Sequence, residues 1–255
     1  FERRLETMEQ ARSILDQNPN LVYNKIAFAK NFAQLAELAF SGDDTFHPSR
    51  NMVEWALQGL NETNRLDVFA LSLSAPFLRV KKGKGLAFGH PDGNGGLKSI
   101  MILNEFDPRT EFQHLHRYRE TLYHLQELSM FLRMKMDSNT IQKQQFITST
   151  TTAMAHRLSQ MEEQLKNYHE QYGPKEKHWM IEALGAQDVT NQYAKDLLEQ
   201  LVVMADATKH ACYIECGSEK SKAFLEKYGF KTVGKNDLKP ATGEKEGQSS
   251  FTVYL

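Results

Sequence analysis

The sequence predicts an α/β fold, one domain over residues 1–255 carrying a helical insertion at about 111–172. Three observations point there. From Trp179 onward the apolar segments alternate as strand, helix, strand, helix, strand, strand, and that order lets the first two strands lie parallel through a right-handed crossover. Upstream, Gly85–His90 and Leu97–Leu103 flank Pro91-Asp92-Gly93-Asn94-Gly95-Gly96, the pattern of a β-hairpin. Between these regions, Glu111 to Tyr172 carries helical periodicity over most of its length.

Taken in order, Glu2 to Phe40 has helical signals with a break at Asn18-Pro19-Asn20, and Phe28, Phe32, Leu35, Leu38 and Ala39 recur at helical steps. Ser41-Gly42-Asp43-Asp44 ends that segment, and Met52–Gly59 reads as a short helix. Asp67–Leu73 fits strand or helix. In the insertion, Leu115, Tyr118, Leu122, Leu125 and Leu132 mark one face, and Met154, Leu158, Met161, Leu165, Tyr168 and Tyr172 form a cleaner stripe, read as core or as a partner surface. Gly173-Pro174 stops the helix. Trp179–Leu184 is a strand, and Asn191–Ala205 is a helix buried through Tyr193, Leu197, Leu198, Leu201 and Met204. Strand Ala211–Cys216, helix Glu219–Tyr228 with Ser218 as N-cap and Gly229 as stop, strand Phe230–Val233 and strand Phe251–Leu255 complete the chain.

Composition excludes little beyond extremes. Hydrophobic residues make up 40% and charged residues 25%, with a formal net charge of -1, so no bulk field argues for nucleic acid or an anionic membrane. No apolar run approaches the ~20 residues that span a bilayer. Localisation stays open, with an intracellular soluble protein the expectation; the chain begins at Phe1, which leaves open what precedes it. Cys212 and Cys216 on one strand would stand ~13 Å apart, beyond the ~7 Å reach of a disulfide, so both read as buried free thiols. The glycine-rich turn lacks the Gly-Lys-Ser/Thr ending of a P-loop, no Gly-x-Ser-x-Gly elbow is present, and His114 and His116 face apart on a helix, so no metal site is expected.

The segment His178-Trp179-Met180-Ile181-Glu182-Ala183-Leu184-Gly185 is similar to the fourth strand of the GNAT superfamily of N-acetyltransferases. Leu197-Leu198 through Ala205-Asp206-Ala207 resembles that family's third helix, Tyr213-Ile214-Glu215 its fifth strand, and Ala223-Phe224-Leu225-Glu226-Lys227-Tyr228-Gly229-Phe230 its fourth helix and exit. Ala39-Phe40 with Asp43-Asp44 and the hairpin at 85–104 are similar to its N-terminal half. The resemblance spans residues 23–255 and is specific in the last ~75. It implies a GNAT-like mixed central sheet flanked by helices and acetyl transfer from acetyl-CoA to a small-molecule or peptide amine by direct attack. It also implies that the fourth and fifth strands splay to admit the acetyl-pantetheine arm, with the pyrophosphate on backbone N–H groups at the start of the third helix.

The cofactor-binding residues so implied are Leu184 and Ala186 on the strand, Thr190, Asn191, Gln192, Tyr193 and Ala194 at the helix start, and Ser221 on the fourth helix. The family's loop reads Gln/Arg-x-x-Gly-x-Gly/Ala. Here those positions hold Val189-Thr190-Asn191-Gln192-Tyr193-Ala194, of which only Ala194 matches. Leu225 stands where many members place a tyrosine acid, and Tyr228 follows three residues later, either as that acid or as a packing residue. Glu182, on the strand at the splay, is the general base or a solvated carboxylate, and Glu215 and His178 are secondary candidates. The alternative is a degenerate GNAT-fold protein without transfer activity, a binding or assembly module meeting a protein partner through the insertion. A third reading is an acyl-CoA sensor.

Overall fold

The computed structural model describes residues 2–23, 45–46, 52, 54, 57, 79–80, 82–94, 96–111, 157, 160–161, 163–187, 192–238 and 251–254. Helix α1 spans Glu2–Asp16, followed by the short strands β1 (Val22–Tyr23) and β2 (Thr45–Phe46). Strands β3 (Gly85–Gly89) and β4 (Ser99–Phe106) form the expected hairpin, and the one-turn helix α2 (Pro108–Glu111) follows. After helical residues 163–172 come β5 (His178–Gln187), α3 (Gln192–Thr208), β6 (Ala211–Tyr213), α4 (Glu219–Glu226), β7 (Lys235–Leu238) and β8 (Phe251–Tyr254).

The central sheet is mixed and flanked by helices. It runs β1-β3-β4-β5-β2 with antiparallel neighbours, and β6 joins β5 in parallel, as the crossover predicts. Among the described residues, strand β7 pairs only with β8, in a separate two-stranded sheet. Every residue of β4 is buried.

One face carries the hydrocarbon core. Leu86, Phe88, Met101, Leu103, Trp179 and Ile181 pack there against Met8, Ala11 and Leu15 of α1 and Leu197, Leu198, Leu201 and Met204 of α3. The buried positions of α3 recur at three- and four-residue steps, which is why an amphipathic reading of the sequence locates them. The opposite face carries Asn104, Phe106 and His178, and helical residues 163–172 cover its lower end through His169.

The structure corrects several boundaries. Residues 230–233 do not form a strand; pairing begins at Lys235, and Phe230 turns inward against the α3–α4 core. Strand β6 stops at Tyr213, not Cys216, and Cys216 keeps only an isolated bridge. Strand β5 extends to Gln187 and β4 to Phe106, past the segments that alternation marks, because both are buried on two faces. The half-buried Met161, Leu165, Tyr168 and Tyr172 do not supply the deepest contact of the insertion helix; His169, outside the stripe, does. The segments 24–40 and 67–73, His114 and His116, Met154 and Leu158 lie outside the described residues, as do most of 52–59.

Candidate functional site

The ten-residue β5 outruns the three-residue β6. Their pairing covers His178↔Ala211, Trp179↔Cys212 and Met180↔Tyr213, and then the two segments part. On that side of β5, β6 pairs as far as Met180, and β2 pairs with Ala186 and Gln187. The fork therefore opens just beyond Met180.

A β-bulge lies at the same level. Against β4, Leu103 faces Ile181 and Ile102 faces Ala183, so Glu182 is the extra residue. A bulge re-aims side chains and bends its strand, and here it reverses which residues face the core: Trp179 and Ile181 before it, Leu184 and Ala186 after it. Glu182 itself points to the polar face. Its Oε1 accepts a hydrogen bond from Asn104 Nδ2 at 3.1 Å and lies 3.9 Å from Arg79 Nη1. The second Arg79 amino group, Nη2, donates to Glu111 Oε2 at 3.3 Å. The Glu182 side chain is 8% exposed, so it is a partly desolvated carboxylate at a fork and not a solvated surface group.

Below the fork the polar face is closed by rings. His169 Nε2 and His178 Nε2 are 2.8 Å apart, and His178 Nδ1 lies 2.8 Å from the Glu176 carbonyl. The carbonyl accepts from Nδ1–H, so His178 presents a bare Nε2 and His169 donates to it. His169 also stacks on Tyr213 at 4.0 Å, and the Tyr213 hydroxyl donates to Glu215 Oε1 at 3.1 Å. Burial pushes the His178 imidazole below the usual histidine range. His178 and Glu215 thus join one buried cluster at the base of the fork.

A second tether fixes the start of α3. His90 Nδ1 lies 2.7 Å from Ser99 Oγ, which also accepts from the His90 backbone N–H at 3.3 Å, and His90 Nε2 lies 3.6 Å from Asp196 Oδ2. Burial lowers the His90 pKa despite the Asp196 charge. Ser99 is fully buried and its oxygen is committed to backbone, so this serine–histidine–aspartate chain ties α3 to the β3–β4 hairpin and offers no nucleophile. Tyr193 packs 5.0 Å from the His90 ring, with Lys98 Nζ 5.5 Å from the centre of its own ring.

The implied cofactor residues fall as follows. Leu184 and Ala186 are buried on β5, and Ala186 pairs with Ser99 on one side and Phe46 on the other. Gln192 is exposed and donates to Asp196, Tyr193 is half-buried and Ala194 is sealed in the core. Thr190 and Asn191 lie outside the described residues. The first turn of α3 carries no carboxylate. Ser221 is buried in the first turn of α4, where its N–H donates to the Ser218 hydroxyl, the expected N-cap. Tyr228 packs on Phe224 and the α3-side core, so it and Glu182 stand on opposite faces of the sheet; burial raises its pKa. It also lines a cavity of about 540 Å³ with Leu201, Cys212, Tyr213, Ile214 and Leu225, so the cavity runs along β6 to the point where its pairing with β5 ends. Both cysteines are free, and burial pushes each thiol up to about 12, which leaves them unreactive.

Arg79, Asn104, Glu111, His90 and Asp196 carry no sequence signal. Their partners lie 32 and 78 residues away in the case of Glu111 and Glu182, and only the strand register brings them together. Among the described residues no cluster of three or more His, Cys, Asp or Glu could hold a metal, and no helix is long and apolar enough to cross a membrane.

No family model and no curated protein matches the chain. Among solved structures, the apo form of an agmatine N-acetyltransferase mutant is similar at 11% identity and a TM-score of 0.44, covering 92% of this chain and 98% of that one. A polyamine N-acetyltransferase from Drosophila melanogaster, described as forming N-acetylagmatine, is similar at 10% identity and a TM-score of 0.44, over 92% and 97% of the two chains.

Proposed function

We propose that the protein is an acetyl-CoA-dependent N-acetyltransferase in which an amine attacks directly. The observation that carries this reading is the fork beyond Met180 and Tyr213 with the bulged Glu182 placed just past it. Acetyl-CoA, when bound, supplies the acyl group as a thioester. Glu182 takes the proton that the amine must lose, the work of a general base. Backbone groups of β5 near Leu184, short of Ala186 where β2 pairs, are offered to an extended amide-bearing chain. Gln192, Tyr193 and Ala194 open α3, whose first turn carries no acidic residue, and the reading sets the pyrophosphate on the backbone N–H groups there, with Thr190, Asn191 and Ser221 as further proposed contacts. Tyr228 packs on the face opposite Glu182, so this reading gives it a packing role and leaves protonation of the departing thiolate to solvent.

Titration calorimetry with acetyl-CoA and CoA, followed by thiol release with agmatine and spermidine as acceptors, tests the proposal. Binding in the micromolar-to-millimolar range and acceptor-dependent thiol release are expected. Absence of heat at millimolar ligand sinks it.

Two observations favour the second reading, a binding or assembly module without transfer. Strand β2 already pairs with Ala186 and Gln187, between the fork and the start of α3, and Leu225 is buried where a hydroxyl would serve. The Phe46→Pro variant removes a backbone donor from β2. If it binds acetyl-CoA no better than a wild-type protein that fails to bind, the module reading stands.

A further inference from the structure

We propose that Arg79 is a positioning residue for Glu182: its guanidinium, divided between Glu111 and Glu182, sets both the direction of the Glu182 carboxylate and its hold on a proton. The inference deepens the reading of Glu182 as the base and rests on it for its catalytic meaning.

Arg79 and its other carboxylate partner, Glu111, flank the same end of the β3–β4 hairpin. Arg79 precedes β3, and its carbonyl accepts from the Lys84 N–H at 2.8 Å, closing a turn through Gly83 at φ +71. Glu111 follows β4 in α2, where the Thr110 and Glu111 N–H groups donate to the Asp107 carbonyl and Arg109 N–H donates to Asp107 Oδ1. The guanidinium therefore reaches Glu182 from a fixed base. Its side chain is 19% exposed, Glu111 is 18% and Glu182 is 8%, so the three charges interact through a medium drier than water. Asn104 Nδ2 adds a neutral donor to the same Oε1.

The division matters chemically. A carboxylate that holds a guanidinium alone is a poor proton acceptor, because the pair favours the ionised form. Here Glu111 is nearer, at 3.3 Å, and Glu182 is further, at 3.9 Å. Arg79 keeps Glu182 ionised and aimed, while Glu111 draws enough of the positive charge away to leave Glu182 basic. Among the described residues, other charged or titratable groups on this face include His178 on the same strand, His169 from the covering helix, Tyr213 with Glu215 beyond β6, and Asp107 with Lys177 at 4.0 Å.

The test is a pH titration of the Glu182 side-chain carbon by NMR in the full chain with ¹³C-labelled glutamate, the signal assigned by its loss in Glu182→Gln. Arg79→Gln is expected to move the midpoint to higher pH, Glu111→Gln to lower pH, and Arg79→Lys to stay closer to wild type. A one-unit upward move would appear in turnover as about a tenfold loss at pH values below the midpoint. Unchanged midpoints, or shifts of one sign in both Arg79→Gln and Glu111→Gln, overturn the proposal. If Arg79→Gln does not fold, Arg79→Lys and Glu111→Gln decide it: a Glu111→Gln midpoint that stays or rises overturns it. The two readings fail separately. Opposite shifts in a protein that transfers no acetyl group refute the transferase and leave the Arg79 inference standing. Unmoved midpoints in an active enzyme that Glu182→Gln inactivates refute only the Arg79 inference.

Discussion

Two buried carboxylates on neighbouring strands have opposite surroundings. Glu105 of β4 stands opposite Trp179, where β5 and β6 are still paired, and is 2% exposed; its cation is His210, with Nε2 at 3.6 Å from Oε1. Glu182 of β5 stands beyond the point where the strands part, on the other face, beside Arg79 and Asn104. The first pair is sealed at the closed end of the sheet. The second borders the opening. The contrast teaches that burial of charge alone does not mark a reactive site; the carboxylate worth testing is the one at which the sheet stops pairing.

The contrast breaks most sharply by exchanging each acid for its amide. Glu182→Gln is expected to lower acetyl transfer by about 10²–10⁴-fold, the usual share of a general base, with little change in the unfolding midpoint. Glu105→Gln should do the reverse. It leaves His210 facing a neutral partner and costs about 1–3 kcal/mol in urea denaturation, with turnover within a few-fold of wild type. Equal effects of the two variants on turnover would dissolve the distinction.

Gly85→Ala sharpens the Glu182 side. A methyl at Gly85 would run into the Asn104 amide and the Leu103 carbonyl, so the glycine is what gives Asn104 room to reach Glu182. A loss of about 1–3 kcal/mol is expected from the overpacking, together with lower turnover than an equally destabilised core variant. Turnover that only tracks stability would remove Asn104 from the site.

The histidines make the contrast pH-dependent. The His210 pKa is raised, first by the Glu105 carboxylate 3.6 Å from its Nε2, so its stabilisation is fully present below the unfolded value of 6.5 and fades as pH rises through the folded value. The His178 and His90 pKa values are lowered by burial, so their stabilisation is present above 6.5 and fades as pH falls through their folded values. Urea midpoints measured from pH 5 to 8 should show His210→Asn flattening the alkaline decline and His178→Gln flattening the acidic one; the opposite assignment of limbs would reverse the account of both pairs.

The smallest effect is a gain. Lys209 ends α3 at φ 55, in the left-handed region that lysine disfavours, and this turn delivers His210 to Glu105. Lys209→Gly should raise stability by about 0.5–1 kcal/mol in thermal unfolding without moving turnover. A loss would mean that the turn is held by something other than backbone preference.

Much of this architecture is legible locally. The Gly-rich turn announces the β3–β4 hairpin, the stripe through Leu197, Leu198, Leu201 and Met204 sets the buried side of α3, and Ser218 and Gly229 bound α4 as cap and positive-φ stop. The parallel pairing of β5 with β6 follows from the helix between them. The misread segments are ones where local pattern and burial disagree: 230–233 is apolar enough for a strand, yet Phe230 leaves the sheet to pack beside α3 and α4. For the candidate site, Glu182 was readable as a carboxylate on the right strand, whereas its bulge and its partners were not.

Spacing of two, three or four residues is written into the chain itself, so the sequence alone determined the α/β order, the helix phases and their ends. Contacts across strands depend on register, and register is set by how whole faces bury their hydrocarbon. Only the tertiary structure could decide that β5 bulges at Glu182, that β6 leaves it after Met180, and that Arg79 is divided between Glu111 and Glu182.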